Sequence, residues 1–116
     1  MVDLRALRTE RLSWRLTSKI IIFIFHLMEY TWSPEKRLAN LKKHGLDFAD
    51  VGRVFSGHTL TRQDHRFAYG EARFSTIGLI GDAVVVIAHT ESVDEIRVIS
   101  MRRAERHERE KYFASI

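Results

Sequence analysis

The chain has 116 residues, no cysteine and a formal net charge of +4. That length gives one domain with a modest core, and the missing thiols exclude a disulfide framework, a thiolate zinc site and a cysteine nucleophile. The charge is not a global nucleic-acid signal: residues 1–27 hold five basic and two acidic side chains, a net +3, leaving +1 for residues 28–116, so any contact with nucleic acid must rest on local clustering.

The N-terminal stretch differs in character from the rest of the chain. "RTERLSWRLTSK" is basic without a clean apolar face and leads into the apolar run "IIIFIFHLM". That run is shorter than the about 20 residues a membrane span needs, and no small-residue cleavage site succeeds it, as a secretory signal would require. No membrane association is expected. Residues 1–27 read as an N-terminal extension, and residues 28–116, from Met28 onward, as the domain.

Beyond Tyr30 the chain punctuates itself. Ser33 is a suitable N-cap, Pro34 sits at the first helical position and Glu35 adds negative charge to the first turn. The helix should run to His44 and stop at Gly45, with Lys42, Lys43 and His44 against the negative end of its dipole and Leu38 and Leu41 as its apolar stripe. A second, short helix comes next, capped by Asp47, with Phe48, Val51, Val54 and Phe55 on one side; Ser56-Gly57 ends it.

The period then changes to that of extended chain. "HTLTRQD", "EARFSTIGLI", "VVVIAHTE" and "EIRVISM" read as four strands, with "HRFAYG" a loop and Gly81-Asp82 a tight turn. A terminal helix is expected from about Arg103 to Phe113. The order ααββββα with short connections predicts an α+β fold: an antiparallel four-stranded sheet with the helices packed on one face.

Several segments together resemble the BrnT toxins of bacterial type II toxin-antitoxin modules. They are "WSPEKRLANLKKHGLDFADVGRVF", "EARFSTIGLIGDAVVVIAHTE" and "IRVISMRRAERHEREKY", and their most specific elements are Trp32 with Lys36 and Asn40, Lys43-His44-Gly45, Arg73-Phe74, and Arg97 with Ser100, Arg102 and Ala104. The resemblance spans Met28 to about Tyr112. It implies a RelE-like fold, a cytoplasmic ribonuclease that cleaves RNA and blocks translation, and a cognate BrnA-like antitoxin through which the pair would contact DNA.

Metal-free RNA cleavage needs the 2′-hydroxyl deprotonated, the phosphorane charge stabilised and the leaving 5′-oxygen neutralised. Arginine suits the middle task, because its planar fork stays charged and grips two phosphate oxygens. The candidate catalytic residues are His44, His89, Arg97 and Arg102, with Lys43, Arg73 and Arg103 as candidate RNA contacts. Either histidine could move the proton. A two-residue turn at Gly81-Asp82 puts Arg73 on one face with Ser75, Val86 and Ala88; a three-residue turn at Ser92–Asp94 puts His89 opposite Arg97. No H-E-x-x-H or related ligand spacing occurs, so neither metal nor cofactor is expected.

The same cations would also serve a non-catalytic nucleic-acid or ribosome-binding module, or plain solvation. His44 has an ordinary role at a helix C-terminus, and "ERHEREKY" reads as a self-paired exposed helix face with Tyr112 and Phe113 docking it on the sheet. Basic residues at a helix start oppose its dipole, so Arg102 and Arg103 need another reason to be there.

Overall fold

The computed structural model describes residues 28–66, 68 and 70–116; the extension over 1–27 lies outside the described residues. A five-stranded sheet in the order β1-β5-β4-β3-β2 forms the centre. The strands are β1 (Glu29–Thr31), β2 (Leu60–Asp64), β3 (Arg73–Ile80), β4 (Ala83–Glu91) and β5 (Glu95–Arg103). The helices are α1 (Pro34–His44), α2 (Val51–Phe55, entered through a 3-10 turn over Phe48–Asp50) and α3 (Arg106–Ala114).

The expected meander of four antiparallel strands is present, but the sheet has a fifth strand. β1 is only three residues long and lies parallel to β5, Tyr30 opposite Ile96. So short a segment carries no readable period, and its pairing partner is distant in the chain, so nothing local announces it. β5 also runs two residues past its expected end. Arg102 and Arg103 are therefore strand residues, and α3 begins only at Arg106.

Local signals fixed α1 well. Ser33 accepts the Lys36 amide, and Gly45, at φ 69°, returns its N–H to the Leu41 carbonyl. The side that α1 turns inward is nevertheless polar. Asn40 is its one buried residue; Nδ2 donates to the carbonyls of Met101 and Leu46 at 2.8 and 3.1 Å, and Oδ1 accepts the Met101 amide at 3.0 Å. One side chain thus pairs both backbone groups of Met101, on the edge of β5 that β1 does not reach, and satisfies polar groups that would be costly to bury unpaired. The expected apolar stripe is corrected: Leu38 and Leu41 point outward, 67% and 41% exposed.

The helices occupy both faces, not one. On the first face Phe48, Val51, Val54 and Phe55 pack on Val85, Ile87, Val98 and Met101, with Tyr30 and Trp32 at the margin. Trp32 meets Phe48 edge-on at 6.4 Å and carries the Arg37 guanidinium at 5.9 Å. On the second face Tyr112 of α3 packs on Ile77, Val84, Val86 and Ala104, with Leu60 and Leu79 beside them. The cause is visible along β4, where Val84 to Ile87 are all buried: a strand apolar on both sides needs cover on both.

Contact between α2 and the sheet is close enough to require a glycine. A Cβ on Gly78 would stand 2.5 Å from Val54 Cγ1. At the β3–β4 turn Ile80 faces Ala83, and Gly81 supplies the positive φ, 56°, that a two-residue hairpin demands.

Candidate functional site

Register decides which side chains meet. Ile77 lies opposite Val86 and Ser75 opposite Ala88, while Phe74 lies opposite His89. Arg73 and Thr90, the next residues outward, therefore join Ser75 and Ala88 on the face that α3 covers. Arg73 shares that face with Ser75, Val86 and Ala88, as expected from the Gly81-Asp82 turn.

The expected pairing of His89 with Arg97 is corrected. His89 stands opposite Val98, and Thr90 opposite Arg97. The β4–β5 connection is tighter by one residue than a three-residue turn, since the Ser92 amide donates to the Glu95 carbonyl at 2.8 Å. That single step sends the two side chains to opposite faces. Arg97 comes out exposed on the α3 face beside Arg73, whereas His89 goes into the core at 0% exposure. There His89 Nε2 is 2.7 Å from Thr76 Oγ1, which is 2.7 Å from Thr61 Oγ1, and the ring stacks on Phe74 and meets Phe55 edge-on.

A second irregularity brings Arg102 to the same side. Ala88 pairs with Ser100 but His89 pairs with Val98, so Ile99 is an extra residue in β5. Plain alternation would put Arg97 and Arg103 on one face and Arg102 on the other. The bulge reverses this: Arg102 lies opposite Val86 on the α3 face, and Arg103 opposite Val85 on the other.

α3 covers only part of its face, over Leu60, Ile77, Val84 and Val86. The rest is an open, half-buried strip. One row contains Arg62, Ser75, Ala88 and Ser100; the next outward contains Arg73, Thr90, Arg97 and Thr31. The floor is small or hydroxylic; the rim carries Arg73 and Arg97, with Asp64 opposite Arg73 at its β2 end.

These arginines are not equivalent. Arg102 gives two bonds to Glu108, 2.7 and 3.0 Å, and Glu108 Oε1 also accepts the Glu105 amide at 2.8 Å. The Arg102 guanidinium holds the Glu108 carboxyl at about 2, with burial opposing and the Glu105 N–H assisting. Arg73 lies 4.0 Å from Glu71. Arg66, bound twice to Asp64 at 3.0 Å, is close enough to Arg102 to repel its charge. The Arg97 side chain has no ion pair or hydrogen bond among the described residues.

The remaining expected site residues lie elsewhere. Lys43 and His44 are in the last turn of α1, which packs on the other face through Asn40. Arg103 also points to that side. Arg62 belongs to the strip although neither motif nor local charge marks it; the alternation of "TLTRQD" offers the only hint.

Comparison with known proteins agrees with the segments noted in the sequence. The family described as "Ribonuclease toxin, BrnT, of type II toxin-antitoxin system" matches residues 32–108. The crystal structure of the Brucella abortus ribonuclease toxin BrnT is similar in fold, with a TM-score of 0.54 and 30% identity, over 68% of this chain and 99% of that one. No curated protein matches. No helix among the described residues is long and apolar enough to cross a membrane.

Proposed function

The chain belongs to the BrnT family of ribonuclease toxins of type II toxin-antitoxin systems, and from that membership we propose that it cleaves RNA, without a metal ion, on the open half of the α3 face. The observation that carries this reading is the row in which Arg73 and Arg97 flank Thr90, with Arg102 at the edge of the same strip. We read the α+β arrangement as RelE-like, with the exposed sheet face as the working surface.

In this reading the 2′-oxygen attacks its own phosphorus, the bond to the 5′-oxygen breaks, and the products are a 2′,3′-cyclic phosphate and a free 5′-hydroxyl. The 2′-proton passes to solvent water and the 5′-oxygen takes one from it, so the phosphoryl centre ends as charged as it began. At the transition state charge builds on the phosphorane oxygens, and Arg97 and Arg73 are fixed cations on either side of it. Arg102, held by Glu108, sets the boundary of the site. His89 is built into the core and His44 into a helix end on the far side, so charge stabilisation carries the rate here.

Loss of messenger RNA would stop translation in the cytoplasm, and the cell would need an inhibitor. We assign that role to a BrnA-like antitoxin that covers the arginine strip with acidic groups and itself provides the DNA contact of the pair. Purified chain incubated with RNA in EDTA should produce fragments ending in cyclic phosphate. Co-expression with the neighbouring reading frame should yield a complex that has lost cleavage and binds DNA. RNA that stays intact while binding in a salt-sensitive manner would replace the enzyme with a binding module.

A further inference from the structure

We infer that Arg62 is a substrate-binding residue, one that grips a backbone phosphate of single-stranded RNA to one side of the phosphate being cleaved. The inference rests on the ribonuclease reading of the α3 face and adds a second contact point to it.

Three observations lead there. Arg62 lies directly opposite Ser75, on the side that carries Arg73 and Arg97. Leu60, two residues earlier, packs with Tyr112 in the α3-side core, while Thr61 turns the other way to bond Thr76. Both neighbours fix the direction of Arg62.

Its charge is also uncommitted. Arg37, Arg53, Arg66, Arg73, Arg102 and Arg106 each stand within 4.0 Å of a carboxylate, and Arg109 donates to the Ala104 carbonyl. Only Arg62, Arg97 and Arg103 have side chains with neither ion pair nor hydrogen bond among the described residues, and Arg103 faces away. Asp64, the nearest acid along β2, is held by two bonds from Arg66. An exposed guanidinium without a carboxylate keeps its full capacity for a phosphate, whereas a paired one must first surrender its partner.

The third observation is the floor between Arg62 and the opposite rim. Its row continues through Ser75, Ala88 and Ser100, none of which is large enough to block a strand of nucleic acid. Sheet strands lie about 4.8 Å apart and successive residues on one face about 6.8 Å apart along a strand, so Arg62 on β2 and Arg97, three strands across and one row outward on β5, stand roughly 16 Å apart. That spacing separates two phosphate contacts instead of converging them on one. The ligand must be single-stranded at this point, because an A-form helix does not bring a 2′-oxygen in line with its own phosphate.

The test combines kinetics with the salt dependence of binding in the full chain. The binding probe is a short, mixed-sequence 2′-O-methyl oligoribonucleotide, which cannot supply the attacking hydroxyl. Arg62→Ala should weaken its affinity by roughly fivefold and make the slope of log affinity against log salt shallower by about 0.7, the value of one lost phosphate contact on a single strand. In cleavage of long RNA the loss should fall mainly on KM. Arg62→Lys, which restores a cation without the fork, should recover most of the slope.

An Arg62→Ala protein with parental affinity and slope, in a chain that cleaves RNA, would overturn the inference and leave the ribonuclease reading standing. A loss confined to kcat would also overturn it, by moving Arg62 to the reacting phosphate. If the parent neither cleaves nor binds RNA, the ribonuclease reading itself fails.

Discussion

Arg102 and Glu108 are joined by two bonds, 2.7 and 3.0 Å, across the corner where β5 turns into α3. The same carboxylate accepts the Glu105 amide, so one side chain closes the first turn of the helix and ties it to the strand. This is the reason for a cation so near a helix start. Arg102 does not oppose the dipole; it holds the acid that complements it.

The pair makes a statement about acid stability. Glu108 is held at about 2 against an ordinary 4.5, chiefly by its bond to Arg102. A carboxyl depressed in the folded state stabilises fully above its unfolded value and loses that contribution as pH falls through the folded one. The melting temperature should therefore drop as the pH falls from 4.5 to about 2. Asp47, held at about 2 by Arg37, adds to the drop. Glu108→Gln should lower stability near neutrality by about 1–3 kcal/mol and flatten the acid limb. A variant with the parental acid limb would show that the pair does not act this way.

Arg97 and Arg102 should separate in their effects. Removing one charge partner of a transition state typically costs about a hundredfold. Arg97→Ala should lose about that much activity with its melting curve unchanged, since the side chain makes no ion pair or hydrogen bond among the described residues. Arg102→Ala should lose stability as well, because it leaves Glu108 buried without its cation. Paired rate and urea-melt measurements on the two variants decide the matter.

Gly78 should tolerate no side chain while Val54 is present. Gly78→Ala pushes a methyl into Val54 Cγ1 and should cost about 1–3 kcal/mol. Combining it with Val54→Ala should recover part of that loss, a coupling readable in a double-mutant cycle. Simple additivity would argue against the contact.

His89 should behave as a core residue. His89→Ala removes a fully buried ring and leaves the Thr76 hydroxyl with Thr61 alone, with an expected loss of about 2–4 kcal/mol. His44→Ala should change stability by about 1 kcal/mol or less, the scale of a helix-end charge. Equal effects in thermal melts would contradict the assignment.

We also propose that the domain starts near Met28. Met28 packs on the core and β1 begins at Glu29, so deleting residues 1–27 should leave stability within about 1 kcal/mol. A chain that no longer folds would show that the extension belongs to the domain.

What the sequence determined by itself was local. Ser33-Pro34, Gly45 and Gly81-Asp82 act within a few residues of where they stand, through capping and through φ values only glycine takes without strain. The resemblance in "IRVISMRRAERHEREKY" was likewise a matter of residues in order, and it indicated the family. Tertiary structure alone decided which side chains meet. A one-residue difference in the β4–β5 turn parted His89 from Arg97. One extra residue, Ile99, put Arg102 on the same face as Arg97 and turned Arg103 away. β1 is a strand only because β5 lies beside it, and α3 covers the second face only because β4 is apolar on both. Side-chain direction in a sheet has period two, so each shift of register inverts a face. The glycine of Gly81-Asp82 marked one register in advance, but neither the tighter β4–β5 turn nor the bulge at Ile99 carries a residue that announces it, and β1 pairs with distant chain.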